Sequence, residues 1–387
     1  MEAYLDNAAT TQVYSEVCDV MRKVLLEDFG NPSSKHTKGL EAENYIKHGA
    51  EIIAEQLKCK PKEIVFTSGG TEANNMALFG AANANKRVGK HIITTVIEHA
   101  SVLEPVNVLE KTGYDVTYLP VDTEGRVAVS ELAKEIKEDT FLVSVMYVNN
   151  EVGSVQPVEE IGRYLKEKHP RILFHVDAIQ AFGKYRIKPG KTGIDLMSVS
   201  GHKLHGPKGT GFLYVREGVK LSPVLFGGGQ QRNMRSGTEN VPGIAGLMTA
   251  VKKAYEEHEK KVEKLYALKK RLMEGLGQYE GITFHAVEKE RMGETAPHIL
   301  SVGFSGIKSE VLLHALAGKG VYVSSGSACS SNHPQLSGTL KAIGVKDELL
   351  DSTLRFSFST FNTEEEVGLA VRAVGEVLPM LRKFQKR

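Results

Sequence analysis

Two residues carry most of the chemical promise in this 387-residue chain, a lysine and a cysteine. Lys203 stands in "SVSGHKLHGPKG", directly after an apolar run, with Ser200 and His202 at hand. Gly201, Gly206 and Gly209 leave the backbone able to turn there. A lysine held in a pocket at a strand end sheds its proton more readily and can form a Schiff base with an aldehyde. An exposed surface lysine is the competing reading of that stretch alone. Cys329 lies in "SSGSACSSN", whose serines, glycine and alanine offer almost no side chain to bury, so the segment reads as a loop. A thiol displayed there is either an accident or a tool, and the rest of the sequence has to decide which. "HVDAIQ" places Asp177 behind a buried-looking run, with Gln180 three residues on. A carboxylate at that depth needs a cationic or N–H partner: it could cap a helix, or hold a protonated ring nitrogen. "TSGGTEANN" sets Gly69, Gly70 and Thr71 at the start of a helix, where backbone N–H groups can cradle a phosphate. Glycine at such a turn is more often plain geometry.

The elements that must position these residues recur along the chain. "EIVFTSGGTEANNMALFGAA", "KHIITTVIEHASVLEPVNVL" and "DTFLVSVMYVNNEVGSVQPVEEIGRYLKEK" each read as strand, turn and helix. Alternation of this kind predicts an α/β fold with a mostly parallel sheet covered by helices. Ligands then bind beyond the carboxyl ends of the strands, so the polar residues after each apolar run should converge. The last third differs: "HILSVGF", "GVYVS" and "TLRFSFS" are short strand candidates between helical stretches. They predict a smaller α+β domain, reached through a charged helix near residues 250–277 whose alternating signs fit a solvated face. The closing helix should begin near Thr363 and Glu366, which have capping-box spacing. Residues 13–258 are assigned to the large domain, and residues 1–12 and 259–387 to the small one, with the cysteine loop at about 324–337.

Composition removes several classes of function. Lys+Arg 49 against Asp+Glu 47 leaves +2, no electrostatic footprint for nucleic acid. The start, "MEAYLDNAATT", lacks the basic and apolar regions of a secretory signal, and no apolar run approaches a membrane span. Cys18, Cys59 and Cys329 are odd in number and widely spaced, which argues against disulfides and zinc and for the reducing cytoplasm. Cys18 and Cys59 fall in helical patterns and are expected to be inert. His202 and His205 could pair on a metal, but no third ligand stands at useful spacing, so no intrinsic metal is expected. Gly190, Lys191 and Thr192 imitate the tail of a P-loop, yet Tyr185 occupies the position of its first glycine.

A phosphate cradle, a buried carboxylate and a lysine that can trap an aldehyde together suit pyridoxal 5′-phosphate. From "YLDNAATT" through "FGNPSSKH", "FTSGGTEANN", "IEHASV", "VNNEVGSVQP", "HVDAIQ", "SGHKLHGPKG", "GGGQQRNMRSGTEN" and "SSGSACSS" to "LRFSFSTFNTEEE", the chain resembles a cysteine desulfurase of the iron–sulfur cluster assembly type. That group lies in the class V aminotransferase family of fold-type I pyridoxal-phosphate enzymes. The resemblance implies that Lys203 binds the cofactor covalently, Asp177 pairs with its ring nitrogen and Gln180 with its phenolic oxygen. It further implies that Gly70, Thr71, Ser200 and His202 hold the phosphate, joined by Thr238 of a neighbouring subunit in a homodimer. His99 would stack on the ring and move protons. Asn150 would touch cofactor and substrate, Arg355 would grip the substrate carboxylate with it, and Asn31 would assist. Cys329 would take the sulfur of L-cysteine as a persulfide, leaving L-alanine. The sulfur would pass to an iron–sulfur scaffold or a tRNA-thiolation enzyme, and Cys329 could be shared with a transient cluster on such a scaffold. Spacing alone allows blander roles: His99 could open a helix, Asn150 serve a turn, and Arg355 be an exposed strand residue. Gly70 stands where alanine is frequent in the family, and Tyr147 and Val148 at a variable place; neither disturbs the chemistry. Rival readings are a class V aminotransferase acting on another small amino acid, a selenocysteine lyase, and a sulfur-relay interaction protein.

Overall fold

The computed structural model describes residues 1–288, 290–325 and 336–385. Cys329 and the segment around it lie outside the described residues. The strands are β1 Ala3–Tyr4, β2 Ile64–Thr67, β3 His91–Thr95, β4 Asp115–Leu119, β5 Thr140–Met146, β6 Leu173–Asp177 and β7 Leu196–Ser200. They continue with β8 Gly211–Val215, β9 Ile282–His285, β10 Ile299–Phe304, β11 Val321–Tyr322, β12 Ser324–Ser325 and β13 Thr353–Ser357. Seven form one sheet in the order β2-β8-β7-β6-β5-β3-β4. It is parallel except at β8, which runs against both its neighbours. A four-stranded antiparallel sheet has the order β12-β13-β10-β9, and β1 pairs with β11 beside it.

The central strands read as unbroken apolar runs because helices cover both faces of the sheet, and every residue of β5 is buried. One polar exception is fully paired. His175 on β6 reaches Ser144 of β5 at 2.8 Å and Ser198 of β7 at 3.0 Å. Burial pushes its imidazole down to about 3, so it is a neutral link across three strands, two residues before Asp177 on the same face. One apolar core packs on one face of the large sheet through Phe174, Met197, Phe212 and Leu247, and another on its opposite face through Val65, Ile92, Leu142 and Leu213. A third joins Leu5, Leu268, Val302, Phe356 and Val374 around the small sheet. Full burial of side chains of this size is worth ~1.5–3 kcal/mol each.

The expected single charged helix near 250–277 is two helices, Val241–Tyr255 and His258–Leu276. The chain breaks at Glu257, whose φ of 47° is left-handed, and the two halves serve different cores. Nor is the second half simply solvated. Lys269 is 1% exposed and donates to Thr295 Oγ1 at 2.6 Å and the Ala296 carbonyl at 2.8 Å. Charge alternation hid a lysine that is turned inward. Cys18 lies within the helix Ser15–Leu26 and is exposed, whereas Cys59 falls just past the helix Thr37–Leu57, half-buried in the turn. Burial pushes the Cys59 thiol up to about 12, which keeps it protonated and unreactive. No helix among the described residues is long and apolar enough to cross a membrane.

The closing helix Glu364–Gln385 opens on a reciprocal cap. Glu366 N–H donates to Thr363 Oγ1 at 3.3 Å, and Thr363 N–H donates to Glu366 Oε2 at 3.0 Å. Thr363→Ala should lower the stability to urea by about 1 kcal/mol; an unchanged unfolding midpoint would show that packing alone holds this end.

Candidate active site

Five strands of the large sheet deliver their carboxyl ends to a cavity of about 290 Å³. Gly70 and Thr71 arrive after β2, His99 and Ser101 after β3, Asn150 after β5. Asp177 and Gln180 arrive from β6, and Ser200, His202 and Lys203 from β7. Ala8 and Ala9 enter from the leading segment, and Arg355 from β13 of the small sheet. The site therefore forms where the two sheets face each other. Of the expected residues, Asn31 and Thr238 do not line it. Asn31 is exposed in a turn where its Oδ1 accepts from Ser33 N at 2.9 Å, and Thr238 is exposed elsewhere on the surface.

Lys203 sits in a short 3-10 turn opened by Gly201, right after β7. Gly201 has no room for a side chain, since a Cβ would come within 2.6 Å of Thr210 Oγ1. The Lys203 ammonium donates to the carbonyls of Ala8 at 2.5 Å and Ala9 at 2.7 Å. Beneath it, Lys184 donates to the Lys203 carbonyl at 2.6 Å, and burial, then the charge of Lys203, pushes Lys184 down to about 7. Beside it, His202 contacts Thr10 Oγ1 at 3.2 Å; burial and then the neighbouring lysines push its imidazole down to about 4, so it meets ligands as a neutral ring.

Asp177 is 4% exposed at the last position of β6. Burial pushes its carboxyl up, opposed by N–H bonds from Ile179 at 3.0 Å and Asn74 at 2.8 Å. The sequence reading passed over Asn74, yet it does more than brace the carboxylate. Its amide also donates to Ser101 Oγ at 2.9 Å. Ser101 in turn meets His99 Nδ1 with its hydroxyl at 2.8 Å and its N–H at 3.1 Å. A nitrogen that accepts both donors carries no proton, so the ring proton of neutral His99 resides on Nε2. His99 does cap the helix Ala100–Lys111, as the bland reading held, and the same bond fixes its tautomer. No side-chain pattern marked Asn74 or Ser101: Asn74 owes its role to partners 27 and 103 positions away, and Ser101 matters because it joins Asn74 to the nearby His99.

At the end of β2 the backbone is built for a close approach. Gly69 adopts φ 150°, ψ −174°, a region open essentially to glycine. A Cβ on Gly70 would come within 2.1 Å of Ile179, so alanine at this place would need Ile179 to shift. The helix Gly70–Ala84 brings its first residues, Gly70 and Thr71, to the cavity beside Ser200 and His202, where helix-start N–H groups can receive an anion. Opposite, Arg355 is 4% exposed, against the exposed position that strand period alone assigned it. It lies on a strand paired on both sides, bonded to Asp6 Oδ1 and to the Asn150 carbonyl, both at 2.8 Å. A helix start with its hydroxyl and imidazole neighbours, a buried carboxylate, a lysine and an arginine thus share one pocket. That donor set suits a phosphorylated aldehyde with a basic ring nitrogen, bound beside an amino acid.

Glu98, next to His99, is buried, and its Oε1 accepts from Thr95 at 2.8 Å and Met146 N at 2.8 Å. Burial raises its carboxyl from 4.5 to about 8, with the charge of Asp177 adding to the rise. The folded chain therefore holds a proton that the unfolded chain releases between about pH 4.5 and 8. Wild-type stability should fall relative to Glu98→Gln as pH rises through that window, and the difference should level off above it. Urea unfolding of both chains across the window tests this; a pH-independent difference would make Glu98 an ordinary carboxylate.

The comparisons with known proteins agree with this geometry. The family model for aminotransferase class-V matches residues 3–369. "Putative cysteine desulfurase IscS 1" of Bacillus subtilis is 47% identical over 380 residues, 98% of this chain and 99% of that one. "Cysteine desulfurase IscS" of Methanosarcina thermophila is 44% identical over 381 residues, 98% and 93% of the two chains. Among solved structures, a "NifS-like protein" superposes with a TM-score of 0.92 at 40% identity, covering 98% of this chain and all of that one. A structure described as "SspA in complex with cysteine" has a TM-score of 0.81 at 35% identity, covering 93% of this chain and 100% of that one. With likeness of sequence and fold running nearly end to end, this chain belongs to the class-V aminotransferase family and, within it, to the cysteine desulfurases.

Proposed function

We propose that this chain takes sulfur from L-cysteine with pyridoxal 5′-phosphate as cofactor, releases L-alanine and keeps the sulfur as a persulfide on Cys329. The observation that carries this reading is the meeting of Lys203, Asp177 and Arg355 at one cavity. The cofactor, when bound, supplies an electron sink that weakens bonds at Cα and Cβ of an attached amino acid. Asp177, raised by burial, would be drawn back to its charged form by a ring N–H. Gly70, Thr71, Ser200 and His202 would hold the phosphate, and Thr238 would join them from a second copy of the chain. Lys203 would tether the aldehyde carbon and, once displaced, would take the proton from Cα of cysteine. The Ala8 and Ala9 carbonyls would accept from the freed amino group and so keep it in the site. Arg355, held by Asp6 and the Asn150 carbonyl, would grip the substrate carboxylate with the Asn150 side chain, and Asn31 would assist. His99, with Nδ1 engaged by Ser101, would hold its proton at Nε2 and pass it to substrate. Cys329 as thiolate would attack the substrate sulfur, forming the S–S bond as the Cβ–S bond breaks. A scaffold for iron–sulfur clusters or a tRNA-thiolation enzyme would then accept the sulfur in the cytoplasm.

Anaerobic incubation with L-cysteine, without reductant, should add one sulfur atom to the Cys329 peptide by mass spectrometry and release alanine. Lys203→Ala should abolish both; Cys329→Ser should abolish the persulfide. Transfer of the amino group to a keto acid without persulfide would make the chain an aminotransferase, and activity restricted to selenocysteine would make it a lyase. Persulfide that persists in Lys203→Ala would favour a relay protein. Separately, Arg355→Lys should raise KM for cysteine by about 10- to 100-fold, as expected for loss of a charge-assisted fork. A fall in kcat at unchanged KM would move Arg355 out of substrate recognition.

A further inference from the structure

Gln180 reaches the cavity from the turn after β6, and its amide is held at both ends. One end donates from Nε2 to the Ala8 carbonyl at 3.0 Å. A carbonyl only accepts, so nitrogen must face Ala8 and oxygen must face the other way. There, Gln180 Oε1 meets His298 Nε2 at 3.2 Å. An amide oxygen only accepts, so His298 must carry its proton on Nε2 and leave Nδ1 bare. Nδ1 is buried with no partner among the described residues, and His298 lines a second cavity of about 30 Å³, room for a water or two, that Lys203 and Lys184 also line. His298 is 1% exposed at the entry to β10, its carbonyl accepting from Phe358 N at 2.9 Å. Lys184 and Lys203 from the large sheet, Lys269 from the helix His258–Leu276 and Arg355 from β13 all bear on it. Burial, with these four cations, holds the imidazole well below its usual range, which agrees with a neutral ring in a single tautomer.

We propose that His298 is a positioning residue for the cofactor: by donating to Gln180 Oε1, it fixes the amide so that its second N–H is a permanent donor for the cofactor's phenolic oxygen. The proposal rests on the pyridoxal-phosphate reading above. Without that donor Gln180 Oε1 is left buried beside cations, and the amide turns to satisfy it at the cost of the donor geometry. The lock crosses between the two sheets, since Gln180 belongs to the large one and His298 to the small one. Asparagine at 298 could donate to the same oxygen; leucine or methionine could not.

The test is the visible absorption of the reconstituted holoenzyme against pH. A donor to the phenolic oxygen stabilises its anionic form, so loss of the donor makes the site hold the proton shared there more tightly. In His298→Leu the midpoint of the absorption change should rise by about half to one pH unit. Should that chain not fold, His298→Met serves as the second variant without a donor. Gln180→Leu should move the midpoint the same way, the double variant no further than Gln180→Leu alone, and His298→Asn should restore it. A midpoint unmoved by loss of the His298 donor while Gln180→Leu moves it, or additive shifts in the double variant, would overturn the proposal. Wild-type protein that acquires no visible absorption with pyridoxal phosphate would overturn the cofactor reading itself, and the proposal with it.

Discussion

The segment from Asp6 to Thr11 is the constraint on which the site depends, because it is bonded to both sheets at once. Toward the small sheet, Asp6 holds Arg355, and Asn7 Nδ2 donates to the Ser357 carbonyl at 3.1 Å and to Asn362 Oδ1 at 3.1 Å. Toward the large sheet, the Ala8 carbonyl takes Gln180 and Lys203, the Ala9 carbonyl takes Lys203 again, and Thr11 binds the carbonyl of His202 and the N–H of His205. Most of these are buried or half-buried bonds with backbone partners, so they are lost together if the segment shifts. Covalent chemistry tolerates errors of well under an ångström between reacting groups. The distance from Lys203 to Arg355 is governed by how six small and polar residues lie between them.

Charge at the site is governed by burial more than by pairing. Asp177 and Glu98 are pushed toward their acids, and Lys184 and His202 toward their neutral forms. A buried group held in an unfavourable charge state responds strongly to a ligand that brings the opposite charge, because little solvent screens the interaction. The ring nitrogen proposed for Asp177 would act on such ground. Its contribution would exceed that of an exposed surface ion pair, which is worth ~0–1 kcal/mol.

Much of the fold and site was legible in the residues because strand ends announce themselves. An apolar run followed by glycine and polar residues marks both an element and the place where its side chains are delivered, and Gly70, Asp177 and Lys203 were found in that way. Arg355 was not legible by period, since every residue of β13 is buried and its two faces are both covered. Asn74 and His298 left no trace, because an amide and an imidazole here acquire meaning from partners 27 to 118 positions away, and Ser101 matters only as the link between Asn74 and its near neighbour His99. The Ala8 and Ala9 contacts were beyond any side-chain pattern, being made by the backbone. Charge alternation predicted one solvated helix near 250–277 and missed both the left-handed break at Glu257 and the inward lysine at 269.

The leading segment also sets an order on events during synthesis. Asp6 and Arg355 are separated by 349 positions, and Asn7 and Asn362 by 355. β13 must leave the ribosome before either bond can form, although the large sheet is complete once residue 215 has emerged. A nascent chain at that stage has its sheet but neither the helix Val241–Tyr255 that completes the first core nor anything to dock its opening residues against, and closing so long a loop adds entropy late in folding. Chemical competence is thereby reserved for chains whose translation has passed the final strand. A truncated product could fold in part and still lack the clasp that keeps Lys203 and Arg355 in register.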